Sequence, residues 1–278
     1  MTDIRQTPEY AQYLSKIGWK IENESEVFSF IKPFLTSSVL KIPRPEKLEV
    51  KVVQQIAQKY KSVQIIVEPK DEIQEKILKE NKFKTAREIS SITKTLHMDL
   101  TKSLNSISEE FAKDTPNYLK KAADLKVYSV NNIEKFRQSW KESVPLFRHV
   151  PSTNSLSFLQ ESFGKKIIFL VTPDGSSGAI FLKGDESVHY WQAFSSRKGR
   201  EDYAQYKILW SGISWAKNIG AKIFDFEGIY DERYPNKSWL GFTHFKKSFG
   251  GEEVYFPPSY TKILLPNLVG LNKSYVLL

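Results

Sequence analysis

The chain has no cysteine, and it has only four histidines and two methionines among 278 residues. Without cysteine there can be no disulfide bond, no thiolate metal site and no cysteine nucleophile. The histidines never fall at the i, i+4 spacing of a helical zinc motif; they are His97, His149, His189 and His244. We therefore predict no bound metal.

Long apolar runs and targeting signals are also lacking. No stretch approaches the roughly 18 uninterrupted apolar residues of a membrane-spanning helix. The opening segment MTDIRQTPEYAQ has neither the basic start nor the apolar run of a signal peptide, so we expect a cytoplasmic protein. A G-x-S-x-G elbow is missing as well, which argues against serine hydrolase chemistry.

Positive charge is what the chain has in excess. It carries 41 lysines and arginines against 32 acidic residues, a formal net charge of +9. Because lysine and arginine release counterions from phosphates, this charge favours RNA, an anionic membrane face or a diphosphate as a partner. A basic protein without such a partner is the alternative.

Hydrophobic periodicity predicts two consecutive α/β units. In the first unit, Asp71 begins a helix with acidic residues in its first turn, as the helix dipole prefers. The predicted elements are a helix over 8–16, strands at IGWK, VFSFIKPFL and SVLKIP, a helix over 49–60, the strand SVQIIVEP and the helix DEIQEKILKENKF.

The second unit is predicted to contain an antiparallel meander, then a long helix and a further strand. The strand TKTLHMDL and helices near 104–111, 117–125, 133–144 and 156–163 come first. The meander strands are KKIIFLVT, GAIFLK and SVHYWQAFS. The helix over 203–218 is apolar on two sides and should be sandwiched before the strand AKIFDFEG. This layout is typical of one half of a GNAT-type acyltransferase.

We therefore predict an α/β (α+β) fold of two GNAT-like lobes packed together, each a mixed, largely antiparallel sheet flanked by helices. The N-terminal lobe is expected over residues 1–93 and the C-terminal lobe over 94–253. The apolar tail, 254–278, is expected to complete the N-terminal lobe, with a membrane or partner patch as the alternative. The similar order of elements predicts a weak structural repeat.

The segment from Phe224 to Gly251, FDFEGIYDERYPNKSWLGFTHFKKSFGG, holds the clearest chemistry. Strand alternation puts Asp225 and Glu227 on one face. Asp231 and Glu232 follow in a loop, so four carboxylates could surround an incoming amine. The alternative is that these residues cap helices or pair with lysines.

The helix predicted over 238–248 places a lysine among aromatic residues. At about 100° per residue, Lys246 falls inside an apolar arc and Lys247 falls outside it. An unpaired buried ammonium is costly, so Lys246 must pair, snorkel or face a cleft. The alternative is a lysine over Trp239 with its head in water. The arc consists of Trp239, Phe242, Phe245 and Phe249.

Three parts of the chain carry a family resemblance. The motif IFDFEGI followed by GFTHFKKSFGG, the opening QTPEYAQYLSKIGWK, and the middle segments MDLTKS and PNYLKKAADLKV resemble the Fem family, the FemABX group of GNAT-like aminoacyl-tRNA transferases. The resemblance spans nearly the whole chain. It implies transfer of an amino acid from aminoacyl-tRNA to the amino group of a peptidoglycan precursor peptide.

The resemblance also implies roles for individual residues. Phe245 and Lys246 match the family's Phe-Lys pair, in which the lysine stabilises the charge on the tRNA 3′ end and the developing oxyanion. Asp225 or Glu227 could accept the proton of the attacking amine, or the substrate's own groups could do so.

Substrate binding is expected at further positions. Lys20 and Arg148 match basic residues that bind the anionic precursor, and Gln192 stands where the family places a tyrosine. The chain has no heptad run that could form the long coiled-coil arm of some members. The predicted substrate-binding residues are Lys20, Trp19, Arg148, Tyr190, Gln192 and Tyr206.

No cofactor is expected beyond aminoacyl-tRNA as co-substrate. The acceptor would be a UDP-linked or lipid-linked muropeptide, and a lipid-linked one could bring a monomeric protein into peripheral contact with the inner face of the membrane. Two alternatives stay open. An acetyl-CoA-dependent N-acetyltransferase would need a Q/R-x-x-G-x-G/A loop, where SRKGRE has Glu201 in place of the second small residue. A non-enzymatic RNA- or envelope-binding protein would need no focused lysine.

Overall fold

Residues 2–86 and 92–264 are described by a computed structural model, in which the chain divides into two units. The N-terminal unit comprises Thr2–Thr93 and the segment from Tyr255 onward, and the C-terminal unit comprises Lys94–Val254. Of the predicted tail, 260–263 form a strand of the N-terminal unit, and 265–278 lie outside the described residues.

The N-terminal unit contains a six-stranded sheet in the order β1-β2-β3-β4-β13-β5. Only β3 and β4 run parallel among its described pairs. The strands are β1 (Lys20–Glu24), β2 (Val27–Phe34), β3 (Ser37–Pro43), β4 (Ser62–Glu68), β5 (Lys84–Thr85) and β13 (Tyr260–Ile263). The helices are α1 (Pro8–Lys16), α2 (Val50–Lys59) and α3 (Glu72–Glu80), and the 3₁₀ turn Ile4–Gln6 precedes them.

Capping residues explain where these helices begin and end. The Asp71 side chain accepts a hydrogen bond from Gln74 N at 2.8 Å, which satisfies a free donor at the start of α3. The strand predicted at IGWK begins later, at Lys20, because the preceding residues close α1. Gly18 adopts φ +89°, and Trp19 N donates to Leu14 O at 3.0 Å.

The C-terminal unit contains a seven-stranded sheet in the order β12-β6-β11-β10-β9-β8-β7. Its strands are β6 (Lys94–Asp99), β7 (Tyr128–Ser129), β8 (Ile167–Val171), β9 (Ser177–Lys183), β10 (Ser187–Ser195), β11 (Ile223–Asp225) and β12 (Glu252–Tyr255). Its helices are α4 (Leu104–Glu109), α5 (Thr115–Lys121), α6 (Ile133–Ser143), α7 (Thr153–Phe163), α8 (Arg197–Glu201), α9 (Ala204–Asn218) and α10 (Leu240–Lys247), with 3₁₀ turns at Gly164–Lys166 and Lys237–Trp239.

Helices cover both faces of this sheet. On one face α9 packs so closely on β9 that a Cβ at Gly212 would lie 2.2 Å from the Phe181 ring. On the other face Phe136 of α6 contacts Phe169 and Phe194, with ring centres 5.1 and 5.4 Å apart. The largest core cluster lies on the α9 face and includes Phe224 and Phe226, which are fully buried.

The two sheets repeat one topology. In each, three strands form an antiparallel meander and a fourth runs parallel to the third: β1-β2-β3 with β4, and β8-β9-β10 with β11. An inserted strand then follows, β13 in the first sheet and β6 in the second, and β5 or β12 lies beyond it. The structural repeat is therefore present at the level of strand order.

The predicted fold class is confirmed, since both units are mixed α/β layers with largely antiparallel sheets. Within 2–86 and 92–264, no helix has both the length and the apolar character needed to cross a bilayer.

Candidate active site

A row of three polar side chains crosses the centre of the C-terminal sheet. Asp225 on β11 is in register with His97 on β6 and with His189 on β10, so the three side chains point to one face. His97 Nε2 lies 3.2 Å from Asp225 Oδ2, and His189 Nδ1 lies 3.6 Å from the same oxygen. The neighbouring Phe224 points to the opposite, apolar face.

Glu227 joins this row because the strand ends just before it. Its backbone has φ +59°, a left-handed conformation that costs free energy for a residue with a Cβ and that is concentrated at functional sites. Glu227 N donates to Asp225 Oδ1 at 2.7 Å, and His189 Nδ1 lies 2.7 Å from Glu227 Oε1. The turn therefore brings both carboxylates to one imidazole.

Two hydroxyl groups complete the network. Thr95 Oγ1 donates to Asp225 Oδ1 at 2.5 Å and lies 3.0 Å from Glu227 O. Ser187 Oγ lies 2.9 Å from His189 Nε2. Burial would raise the pKa of Asp225, but hydrogen bonds from His97 and Thr95 and the charge of His189 outweigh it and hold that pKa below its usual range. Asp225 is thus a stable anion and a weak base.

Lys246 on α10 is buried beside this network. Its Nζ donates to Gly228 O at 2.8 Å and lies 5.0 Å from the Phe242 ring centre and 5.7 Å from that of Tyr190. Burial lowers the pKa of Lys246 to about 8, against the opposing charges of Glu227 and Asp225. The site therefore holds a desolvated ammonium at the end of the central strand β11.

Aromatic side chains pack on the opposite, α9 face of the sheet, next to α10. The Phe245 ring meets the Tyr206 ring edge to face at 4.9 Å, and Tyr206 stacks on Phe249 at 5.6 Å. Tyr190 is buried, and its hydroxyl accepts a hydrogen bond from Gln205 Nε2 at 2.5 Å. Of the predicted site residues, Asp225 and Glu227 meet in the polar network, and Lys246 lies beside both carboxylates and near the Tyr190 ring. Phe245 and Tyr206 contact each other on the α9 face.

Gln192 lies on the other face of the sheet from Tyr190. Strand alternation would place residues two apart on one face, but β10 has a bulge between them. Tyr190 pairs with Phe181 and Gln192 with Ile180, and these consecutive partners point to opposite faces. Gln192 therefore shares the face of His189.

The remaining predicted binding residues are Arg148, Lys20 and Trp19. Arg148 is exposed in the turn after α6, where its N donates to Pro145 O at 2.9 Å. Lys20 and Trp19 belong to the N-terminal unit. The Lys20 ammonium lies 5.7 Å from the Tyr60 ring centre, and the Trp19 ring lies 5.4 Å from the Lys32 ammonium.

The suggested group of four carboxylates does not form. Asp231 is buried and pairs with Arg233 at 2.7 Å. Glu232 pairs with the buried Lys94 at 2.9 Å. Glu232 thus pairs with a lysine, which is the alternative that the sequence left open, whereas Asp231 pairs with an arginine. Asp225 and Glu227 remain as the carboxylates of the polar network.

His189, Asp225 and Glu227 are the described residues that could hold a metal ion, with ligand atoms all within 4.8 Å of one another. The 2.7 Å separation of His189 Nδ1 and Glu227 Oε1 is a hydrogen-bond distance, and Lys246 already supplies a positive charge that acts on both carboxylates. The absence of a metal stays a prediction.

The segment where an acetyl-CoA enzyme would cradle pyrophosphate is the short helix α8. The Ser196 side chain accepts from Gly199 N at 3.1 Å, and the Ser196 carbonyl accepts from Arg200 N at 3.2 Å. A Cβ at Gly199 would lie 2.1 Å from Ser177 Oγ, so this glycine serves close packing. These backbone donors are used within the protein.

Sequence reasoning missed His97, His189 and Thr95. A signal for them existed, because a buried carboxylate between Phe224 and Phe226 requires hydrogen-bond donors. Their identity depends on the register of strands that are far apart along the chain, and no local pattern encodes that register.

Comparison with known proteins places this geometry in a known fold. Neither a family model nor a curated relative matches the sequence. The crystal structure of FemX superposes with a TM-score of 0.77 and 14% sequence identity, covering 94% of this chain and 92% of FemX. The chain has a Fem-like fold.

Other solved structures share the Fem-like fold at lower similarity. The C-terminal DUF2156 domain of a protein assigned as a lysylphosphatidylglycerol synthetase, from Agrobacterium fabrum, gives a TM-score of 0.60 at 12% identity, covering 94% of this chain and 88% of that one. A tandem GNAT protein from the clavulanic acid biosynthesis pathway gives 0.56 at 7% identity, covering 86% and 79%. The GNAT-like character predicted from the sequence is confirmed for the fold.

Proposed function

We propose that this chain is an acyltransferase that moves an amino acid from aminoacyl-tRNA to the amino group of a peptidoglycan precursor peptide. The observation that carries the proposal is the buried Lys246, whose ammonium lies 2.8 Å from Gly228 O at the end of β11. A cation held in an apolar site is suited to stabilise negative charge that develops during a reaction.

The reaction is the aminolysis of an ester. The lone pair of the acceptor amine attacks the aminoacyl carbonyl carbon, and a tetrahedral oxyanion forms. The new C–N bond is kept while the bond to the ribose oxygen breaks, and that oxygen takes up a proton. An ammonium at the oxyanion contributes about 3 to 4 kcal/mol of transition-state stabilisation. With a pKa of about 8, Lys246 is mostly charged at neutral pH.

We assign the proton acceptor to Glu227. Asp225 is a weak base because its pKa is held low. Glu227 is positioned by His189 Nδ1 at 2.7 Å, and its charge acts on Lys246. A carboxylate held by an oriented imidazole can take the proton that the attacking amine loses, directly or through one water.

Two observations support a tRNA-linked donor over acetyl-CoA. At the start of α8, where a pyrophosphate would bind, Gly199 N is bonded to the Ser196 side chain, and Glu201 stands where the second small residue would be. The name of one structural neighbour, lysylphosphatidylglycerol synthetase, states an aminoacylated product. The net charge of +9 suits both an RNA donor and a phosphate-bearing acceptor.

A transfer assay tests the proposal. The protein is incubated with a mixture of charged tRNAs and muropeptide precursors, and mass spectrometry reads the acceptor. We expect a mass increase equal to one amino acid residue, which uncharged tRNA does not support. Acetyl-CoA replaces tRNA in a parallel reaction. If the reaction with acetyl-CoA gives acetylated product and the reaction with charged tRNA gives none, the proposed donor is refuted.

A further inference from the structure

Three tyrosines form a cluster where α5 meets the start of α9. Tyr118 stacks on Tyr203 with ring centres 4.8 Å apart and an angle of 11° between the planes. Tyr118 also meets Tyr206 at 4.9 Å. All three side chains are partly exposed to solvent. We call Tyr118, Tyr203 and Tyr206 the tyrosine cluster.

A lysine lies over two rings of this cluster. The Lys121 ammonium lies 4.9 Å from the Tyr203 ring centre and 5.9 Å from that of Tyr118. Lys121 is exposed and, with Lys120 and Tyr118, lines an open depression at the surface. Cationic and flat aromatic groups are thus presented together.

The cluster extends as far as the residue that precedes Lys246. Tyr206 contacts Phe245 at 4.9 Å, and Phe245 precedes Lys246 in α10. Tyr203, at the other end of the path, has φ +54° immediately before α9. A bulky residue rarely adopts this left-handed conformation, so the fold holds the Tyr203 ring against Tyr118 at a cost in backbone free energy.

We propose that the tyrosine cluster and Lys121 bind the unpaired 3′ end of an RNA, with nucleobases stacked against the partly exposed tyrosine rings and the Lys121 ammonium at a phosphate. Nucleobases stack on aromatic side chains whatever their sequence, and basic residues follow the phosphate backbone. The path from Tyr203 through Tyr206 to Phe245 would lead such an end toward Lys246. This inference rests on the proposed function, because it specifies how the donor is recognised.

Fluorescence anisotropy with two labelled RNA hairpins tests the site. One hairpin has a short single-stranded 3′ end and the other is blunt. We expect wild-type protein to bind the first more tightly. Tyr118→Leu should weaken binding of the overhang hairpin by about tenfold or more and leave the blunt hairpin unchanged, because one stacking surface is lost. Tyr118→Phe keeps the ring and should stay within about twofold of wild type.

A substitution of the exposed lysine tests the site without changing any core residue. Lys121→Gln removes an exposed cation. The logarithm of the binding constant falls linearly with the logarithm of the salt concentration, and this variant should reduce the magnitude of that slope by about 0.7 to 1. The matched control is Lys165→Gln. Lys165 is also exposed, and it follows α7, which packs on α6 over the opposite face of the sheet from α9. We expect the salt dependence of RNA binding by Lys165→Gln to equal that of wild type.

Three results would overturn the site. One is equal affinity of Tyr118→Leu and wild type for the overhang hairpin. Another is an equal loss for both hairpins, which would mean that the cluster only fixes α5 to α9. The third is the same salt slope for Lys121→Gln and wild type.

The transfer assay separates this inference from the proposed function. If Tyr118→Leu does not affect aminoacyl transfer, the proposed function is supported and the proposed RNA site is refuted. If the protein binds the overhang hairpin in a tyrosine-dependent way but transfers no amino acid, the RNA site is supported and the proposed function is refuted.

Discussion

Lys246 and Lys247 are adjacent in α10 but have opposite surroundings. The Lys246 ammonium is buried and bonded to Gly228 O, whereas Lys247 is exposed and pairs with Glu253. We predict that Lys246→Met lowers transfer turnover by about two to three orders of magnitude, because the oxyanion loses its cation. The fold should survive, since a methionine fits an aromatic-walled site. Steady-state transfer kinetics with thermal unfolding curves measure both effects.

Lys247→Met is the matched control for this substitution. An exposed ion pair contributes little, so turnover should change less than about threefold. Equal losses for the two variants, or a larger loss for Lys247→Met, would contradict the assignment of the ammonium to Lys246.

The lowered pKa of Lys246 predicts how activity depends on pH. Its ordinary value is 10.5, and burial brings it to about 8 in the folded protein. If the ammonium stabilises the oxyanion, the turnover of wild type should fall as pH rises through about 8. The residual turnover of Lys246→Met should lack this fall. A pH–rate profile, corrected for spontaneous ester hydrolysis, gives the comparison, and identical profiles would exclude the role.

Stability should change in the opposite direction over the same pH range. Between the folded pKa of about 8 and the ordinary value of 10.5, the unfolded chain binds more protons at Lys246 than the folded chain does. The contribution of this residue to the free energy of unfolding therefore rises with pH in that window. Denaturant unfolding of wild type and Lys246→Met at both ends of the window isolates this contribution.

Part of the candidate site could be predicted from local sequence patterns. Helical phase put Lys246 within the aromatic arc, and the structure buries it there. Strand alternation paired Asp225 with Glu227, which do meet, although the left-handed turn at Glu227 and not a continuous strand brings them together. His189 could not be found, because its partnership with Asp225 depends on a parallel pairing between distant strands.

Two helical glycines differ in the space around them, so replacing each by alanine should have a different effect on stability. In α9 a Cβ at Gly212 would lie 2.2 Å from Phe181 atoms, whereas a Cβ at Gly241 in α10 meets nothing within 4 Å. We predict that Gly212→Ala destabilises the protein by about 1 to 3 kcal/mol through overpacking. Gly241→Ala should stabilise it by about 0.5 to 1 kcal/mol through helix propensity. Urea unfolding of both variants should give shifts of opposite sign.

Most elements were predictable because their periodicity is local. The three meander strands of the C-terminal unit and the long helix α9 lie close to their predicted positions. Two features depend on non-local packing and were not predictable. The bulge in β10 reverses the face of Gln192 relative to Tyr190, and the closing turn of α1 delays the first strand to Lys20.

At the scale of the whole molecule, the N-terminal sheet takes one strand from beyond its own continuous segment, whereas the C-terminal sheet is built from one. After β5 the chain enters β6, which lies between β11 and β12 of the second sheet. After β12 it enters β13, which lies between β4 and β5 of the first. Tyr260 at the start of β13 is buried, and its hydroxyl donates to Glu75 Oε1 at 2.6 Å. β13 is therefore an internal strand of the N-terminal sheet.

We predict that ending the chain at Val254 exposes the backbone of β4 and β5 while leaving β8, β9 and β10 protected. β13 pairs with both β4 and β5, and its loss leaves their hydrogen-bonding groups unpaired. Hydrogen exchange read by mass spectrometry locates the effect. A chain ending at Leu264 keeps β13 and is the matched control, with β4 expected to stay protected. Unchanged exchange in the shorter chain would show that β13 is dispensable.

The position of β13 also has a consequence in time. A chain emerges from the ribosome beginning at its N-terminus, and the part that emerges first usually folds first. Here the strands β6 to β12 have all emerged before Tyr260 does. The N-terminal sheet must therefore wait, with β4 and β5 unjoined, for a strand synthesised after the entire second sheet. Of the two sheets, the one that begins to emerge first is therefore completed last.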